Sequence, residues 1–304
     1  MCTQPHANNW ERATVPQEIT SWEQAEAWGR ARLGPQARVS RSTWRVADGG
    51  PAEAVVDRSR PPEIPSPMIS VLQLHAHDVP GLPFPEGTDC FQFLWCPNEH
   101  PPGPYPTIGW LHVAAFWRPA AAVTAVLDNP PAPRFDLDMN ARFYQPLPCL
   151  LNPEPVTEYP RYSHYPDYSD LPGSLRQRVE RWDDLTAGLY TGVLSAAPGT
   201  KAGGYPDWIQ EPQWPVCGCG RRMDHLLTIA SEEWGGRMRW IPPEDRDRTF
   251  ADEHYEASFT RGRPSMSQDA WAPHGIHLGD MGSMYLFTCT ACQHRPLDGS
   301  IQMT

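Results

Sequence analysis

The sequence is poor in lysine, in long apolar runs and in familiar catalytic motifs. Lys201 is its only lysine, and 25 basic side chains stand against 36 acidic ones, a formal charge of -11. Since no basic cluster overrides this average, we expect no electrostatic binding to nucleic acid or to an anionic membrane. No stretch approaches 18 apolar residues, and residues 1–12 have no apolar run and no basic lead. We therefore expect neither a membrane span nor a signal peptide, and a cytoplasmic protein.

No G-x-S-x-G motif, Walker loop or G-x-G-x-x-G motif occurs in the chain, so the common enzyme classes that use them gain no support. Proline is abundant instead, with 36 in 304 residues. Because proline breaks helices and central strands, this abundance excludes a long-helix or coiled-coil architecture. The 13 Trp, 10 Tyr and 9 Phe supply enough apolar surface for a folded core.

Local patterns predict a β-rich α+β fold with a few short helices. Ser21 and Gln24 form a capping-box pattern that begins a helix of about a dozen residues, and Gly34-Pro35 ends it. A second capping pattern, Ser174 to Gln177, begins a helix whose apolar residues recur at helical spacing as far as Tyr190. Short apolar runs predict strands at Met68–Leu74, Cys90–Cys96, Ile108–Trp117, Met223–Ile229 and Ser283–Thr288.

Changes of composition divide the chain into four predicted regions. Residues 1–60 carry the first helix and short strands, and 61–128 form a first β-rich half. Residues 129–172 are a connecting segment rich in Pro and Tyr, with tyrosines at a period of three that suits extended backbone. Residues 173–304 hold the second helix and a second β-rich half, in which we expect a polar, mobile stretch at 242–267.

The two β-rich halves share a faint pattern that predicts a duplicated unit. Met68-x3-Leu72-Gln73-Leu74 aligns with Met223-x3-Leu227-Thr228-Ile229. Further on, Phe93-Leu94-Trp95-Cys96 aligns with Leu286-Phe287-Thr288-Cys289. If the halves are related, the two leading strands occupy matching places in two sheets, around a pseudo-two-fold axis. The alternative is that any two apolar strands that end in cysteine look alike.

Four cysteines form the strongest chemical pattern in the sequence. Cys217 and Cys219 make one close pair, and Cys289 and Cys292 make another. Two close thiol pairs are what a tetrahedral zinc site requires, and the glycine after each of the first two cysteines frees the backbone to wrap a metal. A four-thiolate site has no open coordination position, so we expect structural Zn²⁺ rather than a catalytic metal.

Three alternatives compete for these cysteines. They are four buried free thiols, a redox dithiol, or the zinc site of a nucleobase deaminase. His254-Tyr255-Glu256 followed by Cys289-x2-Cys292 imitates the deaminase signature. Against it, Thr288 stands where that signature has proline, and Cys217 and Cys219 are left without a role.

Two further hypotheses concern a second group of possible metal ligands and the only lysine. His75, His77, Cys96 and His100 complete a second metal site if their strands pair suitably, although such residues more often form local hydrogen bonds at strand ends. Lys201 is the only candidate for a catalytic amine. No acidic or aromatic residue close to it in sequence favours a lowered pKa.

Three segments carry a resemblance to known families. In order, they are K-A-G-G-Y-P-D-W-I-Q at 201–210, the strand Met223 to Ile229, and G-D-M-G-S-M-Y-L-F at 279–287. This order resembles the YwqG-like family, a bacterial domain family of unknown function. The two cysteine pairs are similar instead to programmed cell death protein two and its yeast relatives, which share the G-G-x-P-x-W opening and hold zinc. The resemblance covers about 100 residues of the second half firmly and the first half loosely.

The resemblance implies a β-rich α+β fold with two related halves. For the eukaryotic relatives it implies a chaperone of a nascent ribosomal protein, and for the bacterial ones no established activity. The acidic charge suits a basic protein client. We therefore expect a non-catalytic, zinc-stabilised protein-binding module, with a zinc-dependent hydrolase or deaminase as the alternative.

One loop is the predicted rim of a partner-binding cleft. It comprises Gly203, Gly204, Tyr205, Pro206, Asp207 and Trp208. Paired glycines allow close backbone approach, and the two aromatic rings offer rigid contact area. The alternative for Trp208 is that its ring fills the core.

Overall fold

A computed structural model describes most of the chain. The described residues are 10–16, 18–35, 37–39, 53–57, 67–100, 106–125, 128, 130–133, 143–162, 169–234, 237–241 and 272–304. Contacts divide the protein into two compact units. One comprises Met1–Ile69, Trp95–Val113 and Asn129–Arg142, and the other comprises Ser70–Leu94, Ala114–Asp128 and Phe143–Thr304. The region boundaries drawn from composition at 60, 128 and 172 stay predictions.

Strands outnumber helices in the described residues. The strands are β1 (Trp10–Thr14), β2 (Arg38–Val39), β3 (Glu53–Asp57), β4 (Ile69–His75), β5 (Cys90–Glu99), β6 (Thr107–Ile108), β7 (Leu111–Arg118), β8 (Lys201–Ala202), β9 (Asp224–Ala230), β10 (Ser283–Thr288) and β11 (Leu297–Gln302). The α-helices are α1 (Trp22–Leu33) and α2 (Gly173–Leu185). The helical turns are Ala120–Ala122, Tyr190–Leu194 and Met238–Trp240.

The first helix forms as its sequence predicts. Ser21 accepts a hydrogen bond from the Gln24 N–H, and the Gln24 side chain reciprocates at the N-cap backbone, which completes the capping box. The helix ends at Gly34, whose φ of 111° is open to glycine. Buried residues of the helix and its flanks form a small apolar cluster, made of Val15, Ala25, Leu33 and Ala37.

The strands form three sheets, with orders β1-β3-β2, β4-β5-β7-β6 and β11-β10-β9-β8. The four pairings β1-β3, β2-β3, β9-β10 and β10-β11 are antiparallel. In the third sheet every residue of β10 is buried, and so is every residue of β9 after Asp224. Strands buried on both faces read as continuous apolar runs, which is why Ser283–Thr288 was recognisable from sequence.

The expectation of a β-rich α+β fold with two larger sheets and a few short helices is confirmed. In the second sheet β4, β5 and β7 lie side by side in the order in which they occur along the chain, and so do β9, β10 and β11 in the third sheet. Leu72–Leu74 lies in the first strand of one trio, and Leu227–Ile229 lies in the first strand of the other. The trios differ at their ends, because β8 also pairs with β9 whereas β4 is an edge strand. The pseudo-two-fold axis stays a prediction.

The second helix differs from the sequence prediction at both ends. It begins at Gly173 after the N-cap Pro172, so Ser174 lies inside the first turn and caps nothing. It ends at Leu185, because Ala187 (φ 54°) and Gly188 (φ 79°) turn the backbone into the left-handed region. The buried carboxylate of Asp183 then accepts the N–H groups of Tyr190 (2.6 Å) and Thr191 (3.2 Å), which begins a new turn.

The apolar stripe of this helix is only partly covered. Val179 packs against a buried cluster of Tyr162, Leu171 and Tyr190. Trp182 remains 40% exposed and Leu185 86% exposed.

Two other predictions concern the polar stretch and membrane spans. The stretch 242–267 lies outside the described residues. In the part of the chain that the structure describes, no helix is long and apolar enough to cross a membrane.

Candidate metal centre

The register of one strand pair brings the two cysteine pairs together. β9 and β10 run antiparallel, with Asp224 at the start of β9 opposite Thr288 at the end of β10. Cys217 and Cys219 precede β9, and Cys289 and Cys292 follow β10. Both pairs therefore lie at the same end of the two central strands of the third sheet. A hydrogen bond of 2.6 Å from the Thr290 hydroxyl to the Asp224 carboxylate joins the two segments there.

The four sulfur atoms are arranged as a metal site requires. Each lies within 4.8 Å of the other three. The Sγ atoms of Cys217 and Cys292 are 3.7 Å apart, and those of Cys219 and Cys289 are 3.6 Å apart. A tetrahedron with metal–sulfur bonds of about 2.3 Å has edges of about 3.8 Å, whereas a disulfide requires about 2.05 Å. The spacing therefore fits one tetrahedral metal ion and excludes disulfides between these atoms.

Backbone N–H groups point at two of these sulfurs. The Cys219 N–H favours the thiolate form of Cys217, and the Arg221 N–H favours the thiolate form of Cys219. The turn that aims them closes with a Gly220 N–H to Cys217 carbonyl bond of 2.7 Å and needs Gly220 at φ 85°. The Arg221 N–H and the neighbouring thiols lower the pKa of Cys219 to about 7.

The same crowding acts oppositely on another thiol. The nearby sulfurs of Cys217, Cys219 and Cys289 raise the pKa of Cys292 to about 12. The proximity of the four sulfurs thus moves the pKa values of Cys219 and Cys292 in opposite directions. Because metal ligation requires thiolates, a bound cation would displace the remaining protons. The four-sulfur donor set is the one that soft and borderline metals such as zinc prefer.

A buried aromatic cluster packs against two of the four cysteines. Cys217 and Cys289 pack with Trp208, Tyr285 and Phe287. Trp214 completes the cluster at its edge, and the guanidinium of Arg222 lies 3.5 Å from the centre of its ring. The four cysteines and the core therefore form one continuous unit, so binding or loss of a metal ion at the cysteines would affect the packing of the third sheet.

The other metal hypotheses gain no support. Among the described residues, the four cysteines are the only group of three or more His, Cys, Asp or Glu side chains placed to hold one ion. His75 and His77 stack on each other with ring centres 5.5 Å apart. Cys96 and His100 are buried, and the Asn98 amide contacts the Cys96 sulfur at 3.8 Å. His254 and Glu256 of the deaminase alternative lie outside the described residues.

A second polar centre surrounds the G-G-Y-P-D-W loop, and sequence reasoning missed it. The Glu158 carboxylate accepts hydrogen bonds from the backbone N–H groups of Ala197 (2.5 Å) and Tyr205 (2.6 Å) and from Lys201 Nζ (2.7 Å). It lies so close to Gly204 that a Cβ there would be 1.9 Å from Oε1. The glycine pair is explained by this approach, since Gly203 and Gly204 both adopt φ 70°.

Lys201 is therefore buried and paired, and its sequence neighbours did not indicate the lowered pKa that results. Burial lowers its pKa, and the Glu158 carboxylate opposes that shift. Beside it, Arg237 pairs with Asp207 and donates to the Ala196 carbonyl at 3.1 Å. Glu158 is 43 residues from Lys201, and no local pattern in the sequence could have connected them.

The predicted partner-binding loop divides into buried and accessible parts. Trp208 is 3% exposed and stacks against Phe287 with ring centres 5.7 Å apart. Its ring therefore lies in the core, which agrees with the alternative hypothesis for this residue. Pro206 is also buried. Gly204 is exposed, whereas Gly203 and Tyr205 are half-buried. Partner binding by this loop stays a prediction, and the ring of Trp208 is not a free contact surface.

Comparisons with known proteins add no relative. No protein-family model, curated protein or solved structure matches the chain. The resemblances to the YwqG-like family and to programmed cell death protein two therefore stay predictions.

Proposed function

We propose that this protein is a non-catalytic protein-binding module stabilised by a structural zinc ion at Cys217, Cys219, Cys289 and Cys292. The observation that carries the proposal is the convergence of four sulfurs within 4.8 Å. Four thiolates fill the coordination sphere of zinc and leave no position for water or substrate. The proposed zinc therefore ties two chain segments together and activates nothing.

Charge and surface support a protein partner. The net charge of -11 favours a client with a basic surface, as long-range attraction raises association rates. Large apolar side chains remain exposed in the described residues, Leu185 and Leu150 among them. A zinc-dependent hydrolase or deaminase is the alternative, and it requires a metal with an open coordination position.

Metal analysis tests the zinc half of the proposal. Protein purified without added metal should carry one equivalent of zinc by elemental analysis. Cobalt substitution should give the intense absorption of a tetrahedral four-thiolate site. Cys219→Ser should abolish the bound metal, while Cys149→Ser, at an exposed cysteine outside the cluster, should not. Less than half an equivalent of any metal, or iron in place of zinc, would contradict the assignment.

Capture of a defined partner tests the binding half. A pull-down from the native host should recover a basic protein whose capture weakens as salt rises, because exposed charges are screened over about 10 Å at 0.1 M. Tyr205→Ala should reduce capture, and Tyr159→Ala, at a 47% exposed tyrosine outside the loop, should not. Hydrolysis or deamination by the purified zinc protein, abolished in Cys289→Ser, would favour the alternative.

A further inference from the structure

Arg295 contacts both the turn from Cys289 to Cys292, called the knuckle below, and a loop that is distant in sequence. Arg295 follows Cys292 by three residues, at the point where the chain returns toward β11. Its guanidinium donates to the carbonyls of Thr290 and Cys292, the latter at 3.3 Å. Both carbonyls belong to the turn that presents Cys289 and Cys292.

The same guanidinium reaches across the sequence. Its Nε donates to the Pro83 carbonyl at 3.2 Å, a bond between residues 212 positions apart. Pro83 lies in the connection between β4 and β5, residues 76–89. That connection is held by local turns, such as Leu82 N–H to Val79 carbonyl at 3.0 Å, and by the burial of Val79 and Leu82.

The backbone of Arg295 is adapted to this position. Its φ of 45° is left-handed, which a non-glycine residue adopts at a cost, and its N–H bonds the Cys292 carbonyl at 3.0 Å. Two residues on, the chain enters β11, and the Pro296 carbonyl accepts the Cys289 N–H at 3.3 Å. This hydrogen bond closes the turn on Cys289, the residue at which the turn begins.

We infer that Arg295 is a positioning residue of the metal centre, which fixes the Cys289–Cys292 knuckle and couples metal occupancy to the order of the β4–β5 connection. The coupling rests on the proposed zinc site, whereas the hold of Arg295 on Pro83 does not. Arginine suits the task because its planar group offers five donors at fixed angles, whereas lysine offers a single charged nitrogen. Residues that orient metal ligands typically change metal affinity by about 10- to 100-fold.

Arg222 provides a matched control. It lies three residues after Cys219, carries the same charge, and stacks on Trp214 instead of bonding the knuckle carbonyls. A variant at this position removes one positive charge near the metal and leaves the Pro83 contact intact. A difference between the two variants therefore reports the hydrogen bonds of Arg295 and not its charge alone.

The experiment combines zinc release to a colorimetric chelator with hydrogen exchange of residues 76–89, for the metal-loaded full chain and its variants. Arg295→Ala should release zinc about 10- to 100-fold faster than wild type. It should also speed exchange at the Leu82 amide. Arg222→Ala should match wild type in that exchange. Arg295→Lys should restore part of the zinc retention by its charge and leave the connection in fast exchange. Wild type stripped of metal should exchange as Arg295→Ala does.

Each part of the inference fails on a different result. Unchanged exchange at 76–89 in both Arg295→Ala and Arg295→Lys would overturn the hold on Pro83, whether or not the protein binds zinc. Unchanged exchange in stripped wild type would overturn the coupling. Absence of bound metal in wild type would overturn the proposed zinc site and the coupling together, while the comparison of wild type with Arg295→Ala still decides the contact with Pro83.

Discussion

The Nζ atom of Lys201 lies 2.7 Å from Oε2 of Glu158, and neither side chain exposes more than a tenth of its surface. The only lysine of the chain is thus held in the interior by a carboxylate from the segment 143–162, which contains no strand and no α-helix. A buried ion pair costs desolvation, and removal of one partner leaves an uncompensated charge. The pair therefore anchors the segment to the β8 region.

Chemical labelling should report this anchor directly, because Lys201 is the only side-chain amine. In wild type, amine-reactive reagents should modify Lys201 far more slowly than an exposed lysine. Glu158→Ala should speed that labelling and destabilise the protein by about 3–5 kcal/mol. Peptide mass spectrometry measures the first effect and denaturant titration the second. Glu154→Ala, at an exposed glutamate of the same segment, is the control, and equal labelling in all three proteins would contradict a buried pair.

The two adjacent glycines should respond differently to alanine. Both adopt φ 70°, so each alanine carries the left-handed cost of about 1–2 kcal/mol. A Cβ at Gly203 meets nothing within 4 Å, whereas one at Gly204 displaces the Glu158 carboxylate. Gly204→Ala should therefore lower the unfolding free energy by about 1–3 kcal/mol more than Gly203→Ala. It alone should speed labelling of Lys201. Equal losses in thermal or denaturant melts would show that the carboxylate adapts without cost.

Trp208 should behave as a core residue in spite of its place in the predicted partner-binding loop. Its ring packs on Tyr285 and Phe287, so Trp208→Ala should cost about 3–5 kcal/mol through lost burial and a cavity. Trp182→Ala, at a ring 40% exposed on α2, should cost about 1 kcal/mol. Urea titration with a far-ultraviolet signal measures both. A Trp208→Ala protein that melts like wild type would refute the assignment to the core.

Acid should destabilise the third sheet through His225. Burial, with the nearby Lys201 charge, lowers the pKa of His225 from 6.5 to about 4, while hydrogen bonds with the Gly203 carbonyl (3.0 Å) and the Thr228 hydroxyl (2.9 Å) hold the ring. Between pH 6.5 and 4, His225 binds a proton in the unfolded chain but stays neutral in the folded chain. The contribution of His225 should lower stability by about 3 kcal/mol as pH drops from 6.5 to 4, and it should be constant below that.

A variant that cannot titrate isolates this effect. His225→Gln should remove most of the slope between pH 6.5 and 4, although it lowers stability at neutral pH. His77→Gln, at a histidine whose side chain is 79% exposed, should keep the wild-type slope. Unfolding free energies measured at several pH values in one buffer series distinguish them, and an unchanged slope in His225→Gln would assign the acid sensitivity to other groups.

Short-range patterns were sufficient for several elements. The Ser21–Gln24 capping box acts over three residues, and its helix forms at Trp22–Leu33. The apolar run at Ser283–Thr288 predicted a buried strand, and that strand is buried throughout. The helix at 173–185 depends on more than local patterns. A capping pattern at Ser174 was overridden by Pro172, and apolar spacing as far as Tyr190 could not reveal the left-handed turn at Ala187 and Gly188.

Local sequence patterns predicted most strands of the two β-rich halves and the four cysteines of the candidate metal centre, because strand patterns and paired thiols depend on neighbours a few positions apart. They missed β8 and β11, and they joined β6 and β7 into one strand across the turn at 109–110. The contacts between distant residues follow from tertiary folding alone. The antiparallel register of β9 and β10 places Cys219 beside Cys289, and folding of distant segments places Glu158 on Lys201 and Arg295 on Pro83. These contacts span 70, 43 and 212 positions. At such separations the contact is set by strand register and by the path of the connecting chain, which no local pattern encodes.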